Sequence, residues 1–407
     1  MQFRTCVYFA EWTVYDNHTP ADIPLEAVTN IFYAFPKLGH NSIEWKDKFA
    51  AVSQQLPLPM NNDRTSETVS GNVGQLMALK RLKHSLKVSL SIGGADTHQI
   101  FRQIIRAGIP HFSKAVCEML DNHGFDGVDI DWEYPKTAGD AEGLLRLVEG
   151  LRSTLDLLEK RRGLAPGTLL LTVAVPVDRE YRKLLRIAEM DPHVSFWNVM
   201  GYDYAGSWST MAAYQSNLYA GEKQISSSEA MKFYNTKIEA SKLVLGMPNY
   251  GRVFYDSDGV GYGFDSRAGD VELINYRELP LANTTEIYDP KQVAAYCYDK
   301  ENRVLVTYDN PQSVRAKAKY LRDNEFGGGM WWDSSGDRYD NPQRSLLANF
   351  VDGLGGNQML FNETNDNWKS DGVTNGTNTN AGVRLNRGGL DAFHLLLLVW
   401  VIVWALE

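Results

Sequence analysis

Eight short apolar runs, separated by amphipathic segments, constrain the fold of this chain more than any other feature of its sequence. The runs predict strands at residues 5–9, 29–35, 86–92, 126–132, 168–175, 195–202, 242–247 and 327–332. Helices are predicted near 23–28, 73–85, 98–122, 142–162, 179–190, 227–238, 311–324 and 343–353. In the helix over 142–162, leucines recur at three- and four-residue steps and Gly163 ends the pattern. Strands alternating with helices in this number predict an α/β fold, a TIM (β/α)8 barrel.

Two segments interrupt the alternation. Residues 38–70 are predicted to form a polar loop after the second strand. Residues 253–310 are too long for one helix, are rich in Gly, Tyr and Asp, and contain strand-like pieces such as Arg303–Tyr308. The sequence therefore predicts a barrel over residues 1–353 that includes an inserted module at 253–310.

Composition excludes several classes of function. A chain of 407 residues with a net charge of −9 and no basic cluster is not expected to bind nucleic acid. Aromatic residues make up 11% of the chain, which suits a protein that stacks on sugar rings, although most of them are expected in the core. The three cysteines give neither a disulfide framework nor a metal-binding spacing, so Cys6 and Cys117 are expected to be buried free thiols. We predict no cofactor and no metal.

Three acidic residues alternate with apolar ones along the fourth predicted strand. Strand geometry places Asp129, Asp131 and Glu133 on one face, with successive acids about 6–7 Å apart. The other face is apolar, so the acids should point into an enclosed space, where at least one pKa would be raised. A calcium site and a solvated edge strand are the structural alternatives, and we favour catalysis.

The segment Phe125–Pro135 resembles the DGxDxDxE signature of glycoside hydrolase family 18, the chitinases and their relatives. Further stretches match the same family in the same order, at Tyr8–Trp12, Phe32–Phe35, Ser91–Gly94, Met200–Tyr204, Gly246–Arg252 and Gly328–Trp332. The resemblance covers about residues 4–353 and is strongest to fungal chitinases that carry an insertion domain. It implies a small α+β domain between strands seven and eight, which would form one wall of the substrate groove.

The resemblance also implies the catalytic roles. Glu133 would act first as the general acid and then as the base, while Asp129 and Asp131 share one proton. Family 18 enzymes are an established exception to the two-carboxylate scheme and use the substrate's own N-acetyl oxygen as nucleophile. The expected intermediate is a cyclic oxazolinium, and the anomeric configuration is retained. Asp131 would hold the acetamido N–H, and Tyr202 and Asp203 would complete the grip on that group.

Other residues match substrate-binding positions of the family. Trp332 resembles the floor under the cleaved sugar, whereas Trp331 faces the other way and is expected in the core. The remaining matches are expected to line the groove, with core packing as the alternative for most of them: Tyr8, Phe35, Gly94, Tyr134, Met200, Tyr250 and Arg252. The sequence departs from many family members at Ala95, which stands where they carry a Trp on the leaving-group side. Binding of long acceptors is therefore expected to be weaker.

The leading hypothesis is an endo-type chitinase that hydrolyses chitin or chito-oligosaccharides with retention and acts as a monomer. One alternative is an endo-β-N-acetylglucosaminidase that cleaves N-glycans, but the inserted module favours a groove for a linear polymer. The other is an inactive chitin-binding lectin, which the presence of Glu133 disfavours.

The end of the chain differs from the rest in composition. Residues 354–391 are predicted to be a disordered linker, because Asn, Thr, Gly and Asp dominate 362–382. The apolar segment 392–407 is short for a membrane span and fits a glycolipid (GPI) anchor signal with attachment at Asn380–Gly382; a true membrane tail and an unspliced intron are the alternatives. Anchoring and the sequons at Asn17, Asn283, Asn362 and Asn375 favour an extracellular or cell-surface location. Met1 lies only a few residues before the first strand, without a secretory signal, so either the signal was omitted from this sequence or the protein is cytoplasmic.

Overall fold

Eight parallel strands close into a barrel in the order in which they occur along the chain. The computed structural model describes residues 1–58, 67–221, 224–265 and 272–362. Each strand boundary lies within two residues of its predicted position, so the predicted (β/α)8 barrel is confirmed. The barrel strands are Arg4–Ala10, Asn30–Ala34, Lys87–Gly94, Gly127–Trp132, Leu170–Pro176, Phe196–Met200, Leu243–Pro248 and Gly328–Trp332.

The first strand closes the barrel by pairing with both the second and the eighth, so that Cys6 lies opposite Asn30 on one side and Met330 on the other. Side chains alternate between two apolar regions. One is a small cluster within the barrel, which contains Tyr8 and Phe32, and the other is the large core between the sheet and the helices. Residues of the fourth strand at odd positions therefore face the interior of the barrel.

Helices cover the outside of the barrel. The α-helices are Lys48–Val52, Gly71–Leu82, His98–Ala107, Ile109–His123, Ala138–Arg162, Arg179–Arg182, Ile187–Met190, Ser227–Asn235, Pro311–Asp323 and Leu346–Leu354. Short 3-10 helices lie at Glu11–Asp16, Pro20–Asp22, Leu25–Ala27, Asp191–His193, Ala240–Lys242, Tyr276–Glu278, Ser334–Gly336 and Asn357–Met359.

Three predicted helices were wrong in their extent. The single helix predicted over 98–122 is divided at Gly108, because Pro110 has no N–H to donate to the preceding turn and instead occupies the first turn of a new helix. The helix predicted over 179–190 consists of two short pieces, Arg179–Arg182 and Ile187–Met190. The helix predicted near 23–28 is only the 3-10 turn Leu25–Ala27.

An antiparallel sheet of five strands occupies the predicted insertion between barrel strands seven and eight. Its spatial order is Leu273–Asn275, Tyr250–Phe254, Val304–Tyr308, Ala294–Asp299 and Glu286–Asp289. Among the described residues of this module, the helical part is the 3-10 turn Tyr276–Glu278. The module begins two residues after the seventh barrel strand ends at Pro248, so it lies at the same end of the barrel as Glu133.

The segment predicted as a polar loop over 38–70 contains regular structure, so that prediction was wrong in part. Two small hairpins, Lys37–Leu38 with Ile43–Glu44 and Gln55–Pro57 with Thr68–Ser70, flank the helix Lys48–Val52. Scattered apolar side chains, which show no strand or helix period, are buried and hold the segment against the barrel: Ile43, Ala50, Ala51 and Leu56.

The first residues of the predicted linker are ordered. Leu360 is buried, the backbone of Phe361 bonds to that of Phe3, and its ring lies 4.3 Å from the Arg4 guanidinium. Residues 363–407, which carry the rest of the linker, the anchor triplet and the apolar tail, lie outside the described residues. Within the described ranges, no helix combines the length and the apolar character that a membrane crossing requires.

Candidate active site

The three acids of the fourth strand lie in one file that runs up the inside of the barrel, as the alternation predicts. Asp129 and Asp131 are 0% and 4% exposed, and Glu133 follows the last strand residue, half-buried at the mouth. On the opposite face, Trp132 stacks on Phe101 at 5.1 Å between ring centres, within the outer core. The acids therefore occupy an enclosed, low-dielectric space.

Asp129 is held by donors from four other barrel strands. Its carboxylate accepts hydrogen bonds from Tyr8 at 2.7 Å, Ser91 at 2.8 Å, Thr172 at 2.6 Å and Asn198 at 3.2 Å. Burial raises the pKa of Asp129, and these hydrogen bonds oppose that rise because they favour the charged form.

Asp131 is buried without comparable support. Its Oδ1 atom has no hydrogen-bond partner among the described residues. Burial, reinforced by the neighbouring charges of Glu133 and Asp129, raises the pKa of Asp131 well above its usual value. Gly93 lies beside it in register, and a Cβ there would come within 1.9 Å of the Asp131 carbonyl oxygen, so only glycine fits. Asp131 therefore keeps one carboxyl oxygen that is free to bond to a ligand.

Glu133 has the electrostatic surroundings of a general acid. Burial raises its pKa, the charges of Asp203 and Asp96 raise it further, and hydrogen bonding to Tyr134 opposes the rise. A carboxylic acid that keeps its proton towards neutral pH can deliver that proton to a leaving oxygen.

A second polar group lies where the sixth strand ends. Asp203 accepts a hydrogen bond from the Tyr250 hydroxyl at 2.7 Å. It also forms an ion pair with Arg252, whose Nε lies 2.9 Å away. Tyr202 meets Tyr250 edge to face at 6.4 Å. Burial raises the pKa of Tyr202 well above its usual value, so its hydroxyl remains a hydrogen-bond donor. The structure thus brings Tyr202, Asp203, Tyr250 and Arg252 together.

Aromatic rings surround Trp332 at the end of the eighth strand. Phe35 stacks on it at 5.5 Å, Tyr8 approaches to 5.4 Å and Trp12 to 6.4 Å. A Cβ at Gly94 would lie 2.6 Å from the Phe35 ring, and Gly94 has a left-handed φ of +91°. Gly94 therefore leaves room for the Phe35 ring that stacks on Trp332.

The remaining predicted residues differ in their access to the groove. Tyr8 is only 1% exposed and donates to Asp129, so its burial favours a positioning role over the predicted contact with sugar. Met200 is 6% exposed at the end of its strand. Tyr134 is half-buried and stacks on Tyr181 at 5.0 Å. Trp331 is fully buried against Phe350, as predicted.

Sequence reasoning missed several contributors to the site. Ser91 and Thr172 pair in register with Asp129 on the two flanking strands, which makes them lumen residues at the same level. Two tryptophans are also unusually exposed: Trp12 at 41%, and Trp208 at 59% with the Arg252 guanidinium 4.8 Å from its ring. An exposed tryptophan beside the site is a signal that the sequence alone does not give, because exposure depends on the fold.

Comparisons with known proteins point in one direction. The family model "Glycosyl hydrolases family 18" matches residues 4–337. Sporulation-specific chitinase 2 of Saccharomyces cerevisiae is 35% identical over 398 residues, covering 86% of this chain and 78% of that protein. Endochitinase 1 of Metarhizium robertsii is 33% identical over 378 residues, covering 89% and 88%.

Solved structures share the fold. Chitinase ChiA74 from Bacillus thuringiensis superposes with a TM-score of 0.77 at 22% identity, over 88% of this chain and 70% of that one. A family 18 chitinase from Cycas revoluta, solved with (GlcNAc)3, gives a TM-score of 0.71 at 24% identity, over 86% of this chain and 100% of that one.

Proposed function

The chain belongs to glycosyl hydrolase family 18 and is a glycoside hydrolase, and we propose that it is an endo-type chitinase acting on chitin and chito-oligosaccharides. The observation that carries this proposal is the acidic file, in which Asp131 Oδ1 has no hydrogen-bond partner among the described residues and Glu133 lies at the mouth. Support for the substrate comes from the relatives named as chitinases.

The proposed reaction begins with proton transfer from Glu133 to the oxygen of the scissile bond. As that C–O bond breaks, the acetamido oxygen of the sugar on the non-reducing side attacks the anomeric carbon and forms a cyclic oxazolinium. Glu133, now ionised, then takes a proton from water, whose oxygen opens the ring. Two inversions at the anomeric carbon give net retention.

The neighbours of Glu133 would grip the acetamido group during this sequence. The Oδ1 atom of Asp131, which has no hydrogen-bond partner among the described residues, would accept the acetamido N–H. The Tyr202 hydroxyl, which burial keeps protonated, is a donor suited to the acetamide oxygen. Asp203, Tyr250 and Arg252 would fix this edge of the site.

The aromatic floor would hold the sugar itself. An indole face matches the apolar face of a pyranose, and Phe35 stacked on Trp332 limits how far that indole can move. The five-stranded insertion would wall the groove beside Tyr250 and Arg252, which both belong to its first strand.

The direct test replaces the acid. We expect Glu133→Gln to abolish release of the fluorophore from a fluorogenic chitobioside while chitotetraose still binds, as measured by calorimetry. The control is Glu239→Gln, the same change at an exposed glutamate, which should leave the rate unchanged. A Glu133→Gln enzyme with a near-normal rate would remove Glu133 from the acid role. A wild-type protein that binds chitotetraose without any turnover would favour the lectin.

Two further assays separate the mechanism and the substrate class. Fully deacetylated chitosan has no internal nucleophile and should not be cleaved, and NMR should show the β-anomer in the first products. Initial α-anomer would contradict retention. Release of intact glycans from a high-mannose glycoprotein, without cleavage of chitin oligomers, would favour the endoglycosidase instead.

We also propose that the mature protein is monomeric and works at the cell surface, held by a lipid near Asn380 in place of the apolar tail. A polymeric wall substrate lies outside the membrane, and the Asn- and Thr-rich segment would serve as a tether. Release by a phosphatidylinositol-specific phospholipase would support the anchor. A cytosolic protein that retains Glu407 would contradict it, and size-exclusion chromatography would test the monomer.

A further inference from the structure

Three consecutive polar residues are buried in the long loop that follows the sixth barrel strand. Gln215, Ser216 and Asn217 are 1%, 2% and 4% exposed. Buried polar side chains need hydrogen-bond partners, and here each of the three bonds to a different part of the molecule. This segment therefore links several parts of the molecule and differs from an ordinary surface loop.

Gln215 joins the catalytic end of the barrel to the insertion. Its side-chain oxygen accepts the Asp203 backbone N–H at 3.4 Å, and its side-chain nitrogen donates to the Tyr250 carbonyl at 2.8 Å. Its own carbonyl accepts the Tyr204 N–H at 3.0 Å. Asp203 and Tyr250, tied through their backbones by this one amide, are also bonded through their side chains at 2.7 Å.

Asp203 has a conformation that needs such support. Its φ of +59° is left-handed, which is uncommon for a residue other than glycine and costs free energy unless the surroundings fix it. The amide of Gln215 holds the N–H of Asp203, and the carbonyl of the same glutamine holds the next N–H. Both constraints come from one residue.

The two residues after Gln215 form hydrogen bonds that fix its position in the loop. Ser216 donates to Asp309 at 3.1 Å, and Asp309 is paired with Lys317 at 2.5 Å in an ion pair whose side chains are both 0% exposed. The side chain of Asn217 donates to two carbonyl groups of its own loop. The backbone on either side of the Gln215 amide is therefore fixed, and the amide has little freedom to move.

We infer that Gln215 is a positioning residue for catalysis: it fixes the Asp203 carboxylate against Tyr250 and Arg252, in the place from which that carboxylate acts on Glu133. The inference rests on the proposed function, in which Glu133 is the general acid.

The inference has an electrostatic signature that a purely structural role lacks. The ionisable groups that act on Glu133 are Asp131, Tyr134, Tyr202, Asp203 and Asp96. Of these, Asp203 is the one tied to Gln215, and its charge raises the pKa of Glu133. If Asp203 moves away, that pKa falls, so the acid loses its proton at a lower pH. The alkaline limb of the profile of kcat/KM against pH should then shift to lower pH.

The experiment uses Gln215→Met, which fills similar space without an amide, and Gln224→Met as the matched change at an exposed glutamine. With chitotetraose, we expect kcat to fall roughly ten- to a hundredfold with little change in KM, and the alkaline limb to move to lower pH. Asp203→Asn should move the limb in the same direction, and adding Gln215→Met to it should move the limb no further. The Gln224→Met protein should match the wild type.

A second readout does not depend on turnover. Carbon-13 NMR titration of Glu133 should show a lower pKa in Gln215→Met than in the wild type. A wild-type protein without turnover would refute the proposed function, yet this titration would still test the link to Asp203. A folded Gln215→Met protein with an unmoved Glu133 titration would overturn the inference. Failure of both Gln215→Met and Gln215→Asn to fold would assign the residue a purely structural role and overturn it equally.

Discussion

Thr172→Val tests how the barrel holds the charge of Asp129. The Thr172 hydroxyl donates to Asp129 Oδ1 at 2.6 Å, and both residues are 0% exposed. Valine has nearly the same shape, so the change removes one hydroxyl without opening a cavity. Three donors to Asp129 remain: Tyr8, Ser91 and Asn198.

The expected cost depends on the charge of the acceptor. A hydrogen bond to a charged group contributes about 1.5–3 kcal/mol, and one between neutral groups about 0.5–1.5 kcal/mol. Folding raises the pKa of Asp129, so ionisation of Asp129 opposes stability as pH rises, and the Thr172 bond reduces that opposition because it favours the ionised form. We therefore expect Thr172→Val to lower the free energy of unfolding by about 2 kcal/mol at pH 7.5, where ionisation is more favoured, and by about 1 kcal/mol at pH 4.

Equilibrium urea unfolding of the wild type and the variant at the two pH values measures both deficits. Thr236→Val is the matched control, since the Thr236 hydroxyl also donates a hydrogen bond, to the Phe233 carbonyl, but is exposed; its effect should stay within about 0.5 kcal/mol at either pH. Equal deficits at pH 4 and pH 7.5 in Thr172→Val would show that Asp129 keeps one protonation state throughout, which would refute the reasoning.

Three further substitutions have defined expectations. Gly94→Ala should cost about 1–3 kcal/mol in urea unfolding and raise KM, because its Cβ would displace Phe35 from the floor; an unchanged KM would argue against that packing. Lys317→Met should cost about 3–5 kcal/mol because Asp309 would remain buried without its ion pair, and a loss below 1 kcal/mol would count against a charged pair. Trp332→Ala in the Glu133→Gln background should weaken chitotetraose binding about tenfold by calorimetry, and equal affinity would mean that the indole does not contact the sugar.

The barrel was predictable because its strands are mostly apolar runs bounded by polar or glycine-containing segments, which is how strands buried on both faces read in a sequence. The helix boundaries were less so. Ile104, Ile105 and Phe112 continue one apolar pattern across the break at Gly108, so periodicity alone joined two helices. Pro110 indicated a helix start locally, but the apolar pattern was given more weight in the prediction.

The acids of the site were predictable from alternation within one strand, and their roles came from the family resemblance. The residues that donate to Asp129 were not predictable, because the identity of a Ser, Thr or Asn in a strand does not indicate which side chain it will contact. Their meeting depends on the stagger between strands, which sets Ser91 and Thr172 level with Asp129. Gln215 was harder still, since it lies in a loop and acts through backbone groups distant from it in the chain.

The closed barrel gives three carboxylates of similar intrinsic acidity different affinities for a proton. Asp129 receives four hydrogen bonds from four strands, which only a closed sheet can converge on one point, so it is the acid best able to hold negative charge. Asp131 has an unpartnered oxygen and two acidic neighbours, so it binds a proton more tightly. Glu133, at the mouth, is left with a raised pKa and a partly exposed side chain. The raised pKa of Glu133 thus depends on how the strands are staggered, and on the proposed function a change deep in the lumen should alter the chemistry at the mouth.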